Sequence, residues 1–171
     1  METKMTKIIR LCVVAVATTL LLSACSAAET PKIITVMAPE NSVEINEAIA
    51  QYEKLVLDNA SEIEAVLGLA RNLRWAGRID DAAHVLNTAP ATFANAPRFR
   101  AEQGKVRLIQ GESVQGLGLL ELAALGGAQG NANDWRLYSA IGIGNDYVER
   151  YGDAEIAYRK ALELSRMMLA C

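Results

Sequence analysis

The stretch DWRLYSAIGIGNDYVERYGDAEIAYRKALELS, Asp134–Ser165, decides how the rest of the chain is read. In its second half Tyr151, Ala154, Tyr158, Ala161 and Leu164 recur at three- and four-residue spacing, which predicts one shared face of a helix. Ala154 and Ala161 are small enough to let a partner helix approach, and the tyrosine rings fill the space between. In the first half Tyr138, Ile141 and Gly142 mark the facing side of an earlier helix, with a glycine where two helices cross closely. The stretch reads as two amphipathic helices joined by a tight turn. One hairpin cannot bury both of its apolar faces alone, so copies are expected elsewhere.

Copies occur upstream. Ala48 in NEAIAQYEKLVLDNA and Ala82 in GRIDDAAHVLNTA take the place of Ala154 and lie 34 residues apart, and Gly77 and Gly111 repeat that interval. The last copy is displaced by four residues, because Asn131, Ala132, Asn133 and Asp134 lengthen a connection where a polar insertion is well tolerated. Period, small positions and helix–turn–helix unit together resemble the tetratricopeptide repeat. The resemblance implies an all-α fold, with repeat hairpins stacked as a short right-handed solenoid after an N-terminal signal helix and tether. It also implies that the first helix of each hairpin lines a concave groove.

The chain begins differently. Lys4, Lys7 and Arg10 precede the uncharged run Leu11–Leu22, and Leu22, Ser23, Ala24 and Cys25 follow. A basic segment, a short apolar core and small residues predict a secretory signal; the run is too short for a stable transmembrane helix, which needs ~20 residues. Leu-Ser-Ala-Cys resembles a bacterial lipobox, in which the Cys25 thiol takes a diacylglycerol and the cysteine becomes the new N-terminus. Ordinary cleavage near Ala28 is the alternative. Ser26, in place of the aspartate associated with inner-membrane retention, implies the periplasmic face of the outer membrane. Residues 1–24 are then the signal peptide, 25–41 a lipidated tether broken by Pro31 and Pro39, and 42–171 the repeat domain. Cys12 leaves with the signal and Cys25 is acylated, so Cys171 has no intramolecular partner and stability rests on helix packing. Loss of Glu2, Lys4, Lys7 and Arg10 takes the net charge from -3 to -5, which gives no electrostatic reason to bind nucleic acid.

Within the repeat domain a capping helix is expected over 42–58, with Ser42 at its start and Glu44 in its first turn. Repeats follow at about 61–96, 97–130 and 135–168. In the first, Ser61 and Glu64 have capping-box spacing, and Val66, Leu69, Ala70 and Leu73 form one stripe. Gly77 ends that helix, Asp80 or Asp81 opens the return helix, and Ala82, Val85, Leu86 and Ala89 point inward. Pro90 stops it, and Pro97 starts the next helix where a missing N–H costs nothing. The 97–130 hairpin matches least well. Arg100, Gln103 and Arg107 replace bulky apolar groups, and Gly116 and Gly118 each cost up to about 1 kcal/mol in a helix. It is therefore expected to be the loosest, with a flexible joint at Gly126, Gly127 and Gly130.

Catalytic chemistry is not legible. His84 is the only histidine, no second ligand stands at zinc spacing, and the glycine clusters neither follow a strand nor precede Lys-Ser or Lys-Thr. The expectation is a protein that is not an enzyme, with no cofactor, no metal site and no catalytic residue. Groove positions implied by the resemblance include Arg71, Arg74, Arg98, Lys105 and Arg136, interrupted by Glu64, Leu67, Ile143 and Asp146. Five cations would attract an acidic segment or terminal carboxylate of a partner; a solvated face is the alternative.

A lipobox followed by about three such repeats, with the fullest match at the end of the chain, resembles the TadD-type lipoproteins of tight adherence (Flp) pilus assembly. This implies a membrane-anchored periplasmic adaptor whose partners are pilus or secretin components. Alternatives are a type IV pilus pilotin, an adaptor for envelope hydrolases, and an enzyme using the repeats as a substrate platform. The final helix carries two apolar stripes, Ala157, Ala161, Leu164 and Met168 beside Ala154, Tyr158, Leu162 and Leu169, wider than one hairpin partner covers. Self-association through this helix, or a disulfide between two Cys171 residues, is expected.

Overall fold

The computed structural model describes residues 42–126 and 133–169, all within a unit spanning Ala38–Cys171. The expected signal peptide, Cys25, the tether, most of the glycine joint and Cys171 lie outside the described residues. Those described form seven α-helices and one 3-10 helix, without a strand. In chain order they are α1 (Ser42–Asp58), α2 (Ile63–Trp75), α3 (Ile79–Thr88), the 3-10 helix Ala91–Asn95, α4 (Pro97–Ile109), α5 (Ser113–Ala124), α6 (Trp135–Tyr147) and α7 (Tyr151–Leu169). The all-helical reading holds. Each helix packs on the next, and α2 also meets α4 while α4 meets α6. The first helices of the three hairpins therefore form one layer, the arrangement of a helical solenoid.

The hairpin turns share one backbone device. Gly77 and Gly111 adopt the left-handed conformation (φ 76° and 84°), and the N–H of each following residue reaches back five positions: Arg78 to Leu73 O and Glu112 to Arg107 O, both at 2.9 Å. The third turn repeats the bond, Arg150 N–H to Asn145 O at 2.9 Å, but its left-handed residue is Glu149 (φ 61°). No turn glycine marks that position in the sequence.

Two apolar clusters fill the interior. One joins Ile45 and Ile49 of α1 to Leu67, Leu73, Leu86, Phe99 and Val106; the other joins Leu108, Leu117 and Leu120 to Leu137 and Ile141. The resemblance puts Leu67 in the groove, yet it is 1% exposed and belongs to the first cluster. Tyr151, predicted on the buried face of the last helix, is 66% exposed. Caps differ as well. Helix α2 starts at Ile63 without a side-chain cap, and Ser61 donates its backbone N–H to Asn59 Oδ1 at 3.1 Å. Helix α3 starts at Ile79, ahead of both aspartates, and Asp81 accepts from Arg78 Nε at 2.6 Å.

The α4–α5 hairpin departs most from its sequence reading. A Cβ on Gly104 would lie 2.8 Å from the Gly116 carbonyl oxygen, and one on Gly116 would lie 2.9 Å from the Gly104 oxygen and from Leu108 N. The glycines mark a crossing where backbone touches backbone, so Gly116 is a packing requirement and not only a weak helix former. Gly118 meets nothing within 4 Å and remains a plain propensity cost. Arg100 is also employed: its Nε donates to Ala94 O at 2.9 Å, tying α4 to the preceding 3-10 helix. That helix was not predicted. It buries Phe93, whose ring stands 5.9 Å from the Phe99 ring at 60°.

Candidate functional site

The layer of first helices is held by charge. Glu102 on α4 lies between Phe99 and Val106 and is 2% exposed. A carboxylate at that depth requires partners, and it has them: Arg74 Nε of α2 donates to Oε1 at 2.7 Å, and Lys105 Nζ lies 3.6 Å from Oε2. Burial alone would raise the Glu102 carboxyl, but Lys105, Arg74 with its hydrogen bond, and Arg71 outweigh it and hold the group below the usual glutamate value. Burial pushes the Lys105 ammonium down, opposed by Glu102 and, more weakly, by Asp134, while Arg74 and Arg71 add to the depression. Asp134 is the cap of α6, accepting from the Arg136 backbone N–H at 2.9 Å. One charge network thus runs from α2 through α4 to the start of α6.

The five expected groove cations divide on this network. Arg74 and Lys105 are 15% and 17% exposed and bind Glu102, which corrects their reading as exposed groove residues. Arg98 pairs with Glu64, its equivalent one 34-residue period earlier. The other two make no ion pair with a described residue: Arg71, half-buried beside the cluster, and Arg136, whose guanidinium lies 4.7 Å over the Trp135 ring. Glu102 itself was missed, because glutamate in a charged helix reads as solvent-facing. Its signal was indirect: Arg71 and Lys105 are 34 residues apart, so equivalent positions in adjacent repeats carry like charge, which an anion between them would relieve.

Elsewhere the surface offers less chemistry. A cleft of about 440 Å³ among α5, α6 and α7 has apolar walls from Ile141, Ile156 and Ala157 and charged edges at Glu121 and Lys160, with no Ser, Cys or His in its lining. His84 is exposed on α3. No group of three metal-ligating side chains occurs among the described residues, and no described helix is long and apolar enough to cross a membrane.

Comparison with known proteins agrees with the fold. Residues 44–105, from α1 into α4, match the family model described as tetratricopeptide repeat. Among solved structures the chain is similar to "MamA RS-1 ArsTM double mutant" (TM-score 0.56, 20% identity, covering 71% of this chain and 66% of that one) and to "MamA MSR-1 C2" (TM-score 0.53, 15% identity, 73% and 70%). A third, "Crystal structure of MamA protein", gives TM-score 0.54 at 21% identity over 71% and 64%. The chain spans about two thirds of the length of these structures. At these identities the likeness is one of fold: a tetratricopeptide-type helical solenoid. No curated protein matches the chain.

Proposed function

We propose that the chain is a protein–protein interaction scaffold that holds an acidic segment of its partner against the layer of first helices, while a lipid on Cys25 fixes it to the periplasmic face of the outer membrane. The observation that carries the binding part is the cation surplus. Around the buried carboxylate of Glu102 stand Arg74, Lys105 and Arg71, and Arg136 adds a further guanidinium that no described carboxylate pairs. A partner carboxylate gains from Arg71 and Arg136 without breaking any internal ion pair, and guanidinium groups can grip it through two parallel bonds. Repeat solenoids bind in this manner without performing chemistry of their own.

The resemblance of Asp134–Ser165 and of the lipobox supports tight adherence (Flp) pilus assembly as the process served. The test follows from the division of the cations. Arg71→Glu with Arg136→Glu leaves the Glu102 network in place and should keep the helical circular dichroism while abolishing capture of pilus or secretin components and surface piliation. Full piliation with the doubly substituted chain returns both arginines to the solvated face. Reversal of Arg74 or Lys105 is no test of binding, because it places a second acid beside Glu102.

A further inference from the structure

Helix α7 uses only one side against the solenoid. Ala154, Ala157, Ala161 and Leu164 are buried, and beside them runs a stripe of Tyr151, Tyr158, Leu162 and Leu169 that no described residue covers fully. Tyr151, Leu162 and Leu169 are 66%, 57% and 88% exposed. Tyr158 is half-buried and held in place: its hydroxyl donates to Asp146 Oδ2 at 2.7 Å, and its ring lies so close over Gly142 that a Cβ there would come within 2.4 Å. The intervals along the stripe are seven, four and seven residues, the same from either end. A second copy of α7 laid antiparallel, centred at the level of Lys160, sets Tyr151 against the partner's Leu169 and Tyr158 against the partner's Leu162, each contact occurring twice.

The charges have the same symmetry. Glu155 and Arg166 border one edge of the stripe, and the antiparallel alignment brings like edges together, with Glu155 within one residue of the level of the partner's Arg166. Arg166 makes no ion pair with a described residue; Glu155 has Arg159 at 2.6 Å and a further oxygen to offer. A head-to-tail contact would set the stripe against the outward side of α1, where exposed Val43 and Leu57 stand among Glu44, Glu47, Gln51, Glu53 and Asp58, a poorer apolar match than a second copy of α7. An apolar stripe whose pattern and charges complement themselves fits an isologous interface. We infer that two copies of this chain associate through α7, antiparallel, about a two-fold axis near Lys160.

The test is sedimentation of the full chain in detergent with reductant, which removes any contribution from Cys171. A dimer is expected, and Leu162→Glu should raise its dissociation constant by at least about tenfold. Glu155→Arg and Arg166→Glu should each weaken the dimer, and the double reversal should restore it. These two positions are exposed, so they serve even where Leu162→Glu disturbs folding. A monomeric unmodified chain, a dimer indifferent to Leu162→Glu, or a double reversal no tighter than the single variants each overturns the inference. Arg71 and Arg136 lie on other helices, so failure here leaves the acidic-segment proposal standing, and the reverse.

Discussion

Replacing Glu102 with glutamine asks how much of the solenoid is held by its ion network. Glutamine keeps the shape of the side chain but strips the charge from a group 2% exposed, leaving Arg74 and Lys105 facing one another with less than a fifth of each side chain in solvent. Breaking one side of a buried ion pair costs about 3–5 kcal/mol. Because Arg74 and Lys105 keep some access to water, the lower end, about 3 kcal/mol, is expected, or roughly 10 °C in the midpoint of thermal unfolding followed by circular dichroism. The pH dependence has a fixed sign. Glu102 is held below its ordinary value of 4.5, so its contribution is complete above that pH and is lost as pH falls through the depressed folded value. The gap between the two proteins should be full at pH 7 and shrink as pH is lowered beneath about 4. A gap under 1 kcal/mol at pH 7, or one that stays constant into acid, would refute the reasoning.

Lys105→Met leaves Glu102 its bond to Arg74 and removes a desolvated ammonium, so denaturant unfolding should change by less than about 1 kcal/mol in either direction. Gly116→Ala should destabilise the chain by ~2 kcal/mol through the backbone crossing with Gly104, while Gly118→Ala, with open space around it, should stabilise it by ~0.5–1 kcal/mol; equal effects at the two positions would contradict the crossing. Glu149→Gly should stabilise by ~1 kcal/mol, since it relieves a side chain in the left-handed region; a loss in the urea midpoint would show that Glu149 makes a compensating contact. Cys25→Ser should abolish incorporation of labelled palmitate and release the chain from the membrane, and unchanged membrane partition would remove the lipid anchor from the proposed function.

The sequence shows the fold wherever a residue's role depends on its own helix. The stripe Val66, Leu69, Ala70 and Leu73 is buried throughout, and Gly77 and Gly111 turn the chain where the 34-residue interval puts them. Legibility stops where a role depends on the neighbouring helix. Gly104 and Gly116 read as two unfavourable helix residues until the helices carrying them are crossed. Glu149 occupies a glycine's place because the turn's backbone bond from Arg150 to Asn145 O outweighs the strain of one left-handed residue. The caps expected for α2 and α3 failed for a related reason: the Ser61 backbone N–H has a nearer acceptor in Asn59 Oδ1, and tertiary burial of α2 sets the start of that helix without help from its cap.

The same limit explains why counting groove cations overstates what is available to a partner. In a solenoid each first helix is flanked by another, so equivalent positions one period apart face one another across the layer. Arg98 meets Glu64 at that interval, and Arg71 repels Lys105 across it, a repulsion that Glu102 nearby offsets. Charges on these helices answer first to the next repeat and only then to a ligand. A sequence reading that sorts residues by helix face places all five cations together; it cannot see that three of them are already engaged. Arg71 and Arg136 are what remains, one near the Glu102 cluster and one at the start of α6. An acidic segment binding both must therefore cross from α2 over α4 to α6. Shortening such a segment to a single carboxylate should forfeit one of the two grips, and an isolated terminal carboxylate that bound as tightly as the full segment would show that only one of the arginines takes part.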